Sequence, residues 1–274
     1  MHTWVASLSG CRAGSSFPRS GGNFTVHSVF SRAVNLRAET GVLVSVVTDP
    51  GLAHPRAVLA PGLNFDESGL ETGHVVTLNI GSLGLRFAEP ETERVHSRSA
   101  GAASKERDPR PTLRLAAKAI AAVVAARSDR NLYLSVLNAG LRRLQDAVAS
   151  GSTVQQWQAV EQLVGLGPGL TPAGDDLLCG FLAGLEAQGR LGDLSVRAEN
   201  IDWETRTGAI SAAFVTEAFR GRFGAALVAF GQAALGHRDD LASTVEALAA
   251  LGHSSGTDAA QGFLGAWNIE GATA

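Results

Sequence analysis

The rhythm of apolar and polar positions changes once along the chain. In the first third, short runs rich in β-branched residues alternate with turn formers. VHSVFSRAVNLRA (26–38), GVLVSVVT (41–48), RAVLA (56–60), HVVTLNI (74–80) and GLRFAE (84–89) read as strands. Asp49-Pro50-Gly51, Pro61-Gly62 and Ser82 to Gly84 break them, so this part predicts a small antiparallel sheet or barrel. EPETERVHSRSAGAASKERDPRP (89–111) is charged and weakly apolar, which predicts a linker or domain boundary. Beyond it the spacing becomes helical. Leu137, Leu141, Leu144 and Val148 form one stripe, Trp157, Val160 and Val164 a second, and Leu241, Val245 and Leu248 a third. Ser152 with Gln155 resembles a capping box, and Asp239 or Asp240 could cap the third helix. From residue 112 to 270 the pattern predicts about seven helices and no strand. The expected class is α+β: a β-rich N-terminal domain (1–90), a linker (91–111) and a helical domain (112–274).

Composition narrows the function classes. Net charge is −3, and Lys105 and Lys118 are the only lysines, so nothing marks a nucleic-acid surface. Arginine is the residue available for two-pronged recognition of a carboxylate or phosphate. The two cysteines, Cys11 and Cys179, are too few for a disulfide framework. Leu8-Ser9-Gly10-Cys11 resembles a lipoprotein cleavage box, yet no Lys or Arg precedes it and the apolar stretch before it is short. The longest apolar run, Leu113 to Ala126, contains Arg114 and Lys118, which argues against a membrane span. The expectation is a cytoplasmic protein that binds neither membrane nor nucleic acid.

One motif misleads. Gly252-His253-Ser254-Ser255-Gly256 matches G-x-S-x-G, the nucleophile elbow of α/β-hydrolases. An elbow needs a strand before it, whereas DDLASTVEALAAL (239–251) reads as a helix, and no histidine follows Ser254. A better account lies upstream in GLGPGLTPAGDDLLCGFLAGL (165–185). With Gly174 aligned to Gly256, Asp176 falls on Asp258, Gly180 on Gly262, Phe181 on Phe263 and Leu182 on Leu264. This is a short internal repeat, G-x-D-x-x-x-G-F-L, led each time by a small polar loop. Asp176, Gly180 and Gly184 share one helix face, as do Asp258, Gly262 and Ala266. The small-residue stripes predict that the two helices pack against one another or around one shared cleft, with Asp176 and Asp258 approaching each other near the helix starts. Thr171 would cap the first helix, with Pro172 at its first position.

Helix starts attract anions, and Gly167 and Gly169 allow close backbone approach. There is no Walker loop, no G-x-G-x-x-G and no zinc spacing among the scattered histidines. His27 reads as a polar core or edge residue rather than a base. His253, between the repeat's loop and Ser254 and Ser255, is the better catalytic candidate. Two aspartates at one helix end would repel a bare phosphate. Either Mg²⁺ lies between Asp175 and Asp176, or an aspartate accepts a hydrogen bond from a ligand NH₂.

GLGPGLTPAGDDLLCGFLAG, the TRTGAISAAFVTEAFRGRF segment (205–223), the GHSSGTD loop and the early HSVFSRAVNL together resemble the AllH-type proteins. The resemblance spans about residues 25–270; the first twenty residues and 89–111 carry none of it. It implies a subunit of an oxamate carbamoyltransferase that acts with two partner subunits. The implied reaction is that of allantoin and purine-nitrogen breakdown in bacteria, in which oxalurate and phosphate give oxamate and carbamoyl phosphate. On that expectation the catalytic group would be Asp175, Asp176, Asp258 and His253. Substrate would be held by Gly167, Gly169, Thr171, Gly174, Ser254, Ser255, Gly256 and Arg206, with Arg220 and Arg222 as further phosphate candidates. First-turn N–H groups would stabilise the tetrahedral oxyanion of carbamoyl transfer. Two alternatives stay open: a non-catalytic assembly partner of such a complex, and a metal-dependent hydrolase of small amides using the aspartates.

Overall fold

The computed structural model describes residues 4–8, 10–80, 84–95, 108–126, 133–198 and 200–268. The chain folds as two units, residues 1–93 and 94–274. The α+β class is as the sequence predicts.

The first unit is one mixed sheet. Its strands among the described residues are β1 (Trp4–Ser7), β2 (Arg12–Ala13), β3 (Gly22–Phe30), β4 (Ala33–Ala38), β5 (Leu43–Val47), β6 (Ala57–Leu59), β7 (Val75–Asn79) and β8 (Arg86–Phe87), in the order β1-β7-β3-β4-β5-β6-β2-β8. The run β7-β3-β4-β5 is antiparallel. The pairs β1–β7, β5–β6 and β2–β8 are parallel, which the hairpin-like spacing did not reveal. The stretch 26–38 is not one strand but the β3–β4 hairpin, turning at Ser31-Arg32 with Phe30 opposite Ala33. Neither turn residue has positive φ, and Ser-Arg is not one of the Gly- or Asn-containing pairs that mark two-residue hairpins, so the turn carries no strong sequence signal.

Phe24, Val26, Val34, Leu36, Val44, Val46, Val58, Val76 and Leu78 build this unit's core. Leu8, from the lipoprotein-like box, is wholly buried in it. Strand β5 is buried at every position, so its Ser45 must find partners inside the protein. Ser45 Oγ donates to Asn35 Oδ1 at 2.7 Å and lies 3.1 Å from His54 Nε2. Asn35 Nδ2 donates onward to Ser28 Oγ at 3.0 Å, which is 3.2 Å from His27 Nδ1. His27 sits where the β3–β4 register slips between Val26 and Ser28, a bulge that turns its side chain out of alternation.

The second unit is helical. Its helices are α1 (Arg110–Ala126), α2 (Leu134–Ser150), α3 (Thr153–Leu163), α4 (Ala173–Ala187), α5 (Gly192–Ala198), α6 (Ala209–Phe219), α7 (Ala225–Ala234), α8 (Leu241–Ala249) and α9 (Ser255–Ala266). The three apolar stripes face its core: Leu137, Leu141, Leu144, Trp157, Val160, Val245 and Leu248 are buried, with Val148, Val164 and Leu241 packed against it. Ser152 caps α3, accepting from Gln155 N at 3.4 Å. Asp240 stands at the start of α8 but makes no cap, because its carboxylate pairs with Arg238. Among the described residues, no helix is long and apolar enough to cross a membrane.

Candidate functional site

Helices α4 and α9 are the two copies of the repeat, and they lie against each other almost backbone to backbone. A Cβ placed on Gly180 would fall 1.8 Å from the carbonyl oxygen of Ala259, and one on Gly262 would fall 1.9 Å from that of Leu177. In the repeat alignment Ala259 is the counterpart of Leu177, so these contacts are the same contact made twice, in opposite senses. Gly184 meets its own counterpart, Ala266, at 2.5 Å from the built Cβ. The two glycine contacts lie between Thr171–Ser255 at one end and Gly184–Ala266 at the other, so the helices run in the same direction and their starts share one end. The small-residue stripe therefore forms a pseudo-twofold seam.

The approach to each helix is also repeated. Gly174 stands against the carbonyl of Leu163 at the end of α3, and Gly256 against that of Leu248 near the end of α8. These two glycines are buried in packing. Gly167 and Gly169 take φ values of 112° and 101° in the loop before α4, a region open to glycine at no steric cost. The built Cβ of Gly167 lies 3.1 Å from Ala173 N, whereas that of Gly169 meets nothing within 4 Å. The G-x-S-x-G match lies between two helices, α8 and α9, with Ser254 at the start of α9; it has no strand and is no elbow.

The two starts touch through hydroxyls. Thr171 Oγ1 and Ser255 Oγ are 2.9 Å apart. Thr171 does not cap α4, as its position predicts; the cap residue is Pro172, with no side-chain bond. The neighbouring aspartates do different jobs, as their separation around the helix requires. Asp175 is 1 % exposed. Its Oδ1 accepts from Gly165 N at 2.8 Å, and its Oδ2 accepts from Thr207 Oγ1 at 2.5 Å and Ser211 Oγ at 2.6 Å. Asp175 thus ties the α3–α4 loop and the start of α6 to α4.

Asp176 points into the junction. Its Oδ2 is buried without a hydrogen-bond partner. Burial pushes its pKa up to about 8; the Ser255 and Thr171 hydroxyls oppose the rise, while the charges of Asp258 and Asp175 add to it. The carboxyl is therefore protonated at neutral pH. Asp258 is 2 % exposed in the first turn of α9, close enough to act on Asp176 electrostatically. Burial first, then the charges of Asp176 and Asp175, raise the Cys179 thiol well above its ordinary value, so it is no thiolate nucleophile.

The remaining candidates lie further out. His253 is exposed in the α8–α9 loop, and Ser254 beside it is half-buried. Arg206 pairs with Glu161 at 3.2 Å on the surface, and its carbonyl closes on Gly165. Arg220 and Arg222 are both committed to the buried Glu217, at 3.2 and 2.7 Å. Three polar residues were not legible in the sequence: Thr207 and Ser211, which hold Asp175, and Gln261. Gln261 is 2 % exposed, one turn beyond Asp258, and its Oε1 has no hydrogen-bond partner. The four-residue spacing of Thr207 and Ser211, both on one face where α6 begins, was their only signal.

The donor set does not suit a magnesium ion. A hard cation wants several open oxygens; Asp175 spends both of its oxygens on three protein donors. Among the described residues no group of three or more His, Cys, Asp or Glu is placed to hold a metal.

A family model described as oxamate carbamoyltransferase subunit AllH matches residues 163–267, and one described as the AllH family N-terminal domain matches residues 6–99. The family signal thus reaches into the first twenty residues and into the charged segment, where the sequence resemblance did not extend. No curated protein and no solved structure matches the chain.

Proposed function

Since the chain belongs to the AllH family, we propose that it serves as a subunit of an oxamate carbamoyltransferase and that the joined starts of α4 and α9 bind the carbamoyl-bearing ligand. The observation that carries this reading is the neutral Asp176 carboxyl beside the Thr171 and Ser255 hydroxyls. A protonated carboxyl offers one donor and one acceptor, the pattern complementary to a carbamoyl group, with its C=O and NH₂. It also eases the conflict of two charged aspartates at an anion-attracting helix end, since Asp176 is neutralised by its proton while the charge of Asp175 is held by three protein donors.

In this scheme the carbamoyl C=O lies at the shared end of the two helices, where their dipoles favour negative charge. As a nucleophile adds to the carbamoyl carbon, negative charge grows on that oxygen, and fixed N–H dipoles stabilise it without reorganising. Asp176 orients the NH₂. His253, exposed at the rim, is the group available to move a proton. Oxalurate with phosphate, or oxamate with carbamoyl phosphate, are the substrates this chemistry suits, in allantoin-nitrogen breakdown within the cytoplasm. A subunit designation implies further chains, and a nucleophile or phosphate clamp from those chains would complete the site.

The test uses the reconstituted complex and carbamoyl phosphate, followed by calorimetry and turnover. Wild-type affinity is expected to weaken as pH rises through about 8, when Asp176 ionises. Asp176→Asn keeps a donor and an acceptor, so binding should persist with that pH dependence gone. Asp176→Leu should weaken binding by about tenfold or more, the loss of one or two buried hydrogen bonds. Wild-type affinity and turnover in the Leu variant would end the proposal.

A further inference from the structure

The helical unit holds a cavity of about 510 Å³ that none of the Gly–Asp residues lines. That volume is within the range of roughly 300–1,000 Å³ typical of small-molecule sites. One wall is aromatic. Trp203 and Phe219 line it, with their rings stacked 5.1 Å apart at 12° and Trp157 stacked behind both. Arg94 and Arg220 also line it, and their side chains are 39 % and 48 % exposed.

Arg94 reaches the backbone beside Arg220. Arg94 Nη1 lies 2.9 Å from where a Cβ on Gly221 would stand, and Gly221 follows Arg220 directly. Gly221 has φ 72°, so only a glycine fits both the backbone and the neighbouring arginine. Behind each cation sits a buried carboxylate. Glu186 accepts from Val95 N at 3.2 Å and faces Arg94 at 3.6 Å. Glu217 takes both Arg220 and Arg222. On the described lining itself, two arginines stand with one carboxylate, Glu186. Each guanidinium carries five N–H donors, and among the described residues the long Arg94 contact and the Arg220 contact engage few of them. Thr216, also on the lining, donates its hydroxyl to Ala212 O at 2.7 Å.

We propose that this cavity binds a small planar anion, separately from the paired helix starts: its carboxylate sits between Arg94 and Arg220, and its ring lies against Trp203 and Phe219. Arginine prefers planar, two-pronged anions, and an apolar slot rewards a flat body over a bare ion.

The test uses the full chain and three probes: 2-naphthoate, acetate and 2-naphthamide, measured by calorimetry. 2-Naphthoate should bind saturably with one site, and acetate and 2-naphthamide at least about tenfold more weakly, since each lacks one half of the recognition. Arg94→Gln and Arg220→Gln, both at half-exposed positions, should each weaken 2-naphthoate about tenfold. Thr216→Met should fill the slot and abolish binding. Asp176→Asn should leave it untouched, which separates this site from the carbamoyl reading. Equal binding of 2-naphthamide and 2-naphthoate to the wild type would overturn the proposal without any variant. So would unchanged affinity in both arginine variants.

Discussion

A carboxyl that keeps its proton at neutral pH is a cost the fold carries, and Asp176 makes that cost measurable. Its pKa is raised from 3.8 to about 8, by burial above all. Between those values the unfolded chain gives up the proton and the native chain retains it. The native state then binds more protons, so stability falls as pH rises through this window and levels off above about 8. The thermal midpoint of the wild type should decline from pH 5 to pH 8 more steeply than that of Asp176→Asn. At pH 8 the variant should melt higher, by roughly 5 °C, as a relief of a few kcal/mol implies for a chain of this size. Identical pH profiles would mean that Asp176 ionises freely. Asp175, one residue away, is the opposite case: all of its acceptor capacity toward the protein is spent, and nothing local in the chain tells the two apart. Their difference comes from Gly165, Thr207 and Ser211, which fold in from ten to thirty-six residues away.

At the scale of elements, the seam between α4 and α9 was the most legible feature of the chain, because its cause is local. Glycine at every fourth position lets backbones close, and the repeated spacing announced two such faces that fit each other. Gly180→Ala and Gly262→Ala each drive a methyl into a carbonyl at under 2 Å. Backbone cannot yield as a flexible side chain does, so each should cost about 3 kcal/mol or more. Because the two contacts are counterparts, the losses should match closely in urea titrations. A loss below about 0.5 kcal/mol at either position, the scale of an ordinary surface change, would show that the helices stand further apart than described.

Across the whole molecule, the switch from β to helical rhythm was readable because period is a property of a few adjacent residues. The three parallel strand pairs were not: β1 and β2 are short and their partners, β7 and β8, come from far along the chain, while β6 is only three residues long and follows β5 closely, as a hairpin partner would. The β3–β4 turn was hidden because Ser31-Arg32 lacks the glycine or asparagine that marks a two-residue hairpin. The cavity was invisible for a related reason: residues from 94 to 220 supply its lining. One core, from Val95 to Ala266, lies wholly within the second unit. A fragment of residues 94–274 should therefore melt in a single cooperative step by circular dichroism. A gradual, featureless loss of signal would tie that core's integrity to residues 1–93.

The seam has a mechanical corollary. Where side chains separate two rods, rotamer changes let the rods drift apart or slide. Here main chain rests on main chain, and the joint has no compliant layer. The span between Thr171 and Ser255 is thus set like the jaws of a calliper locked at its hinge. Selectivity for the size of whatever enters would reside in glycines one to three turns away, which never touch it.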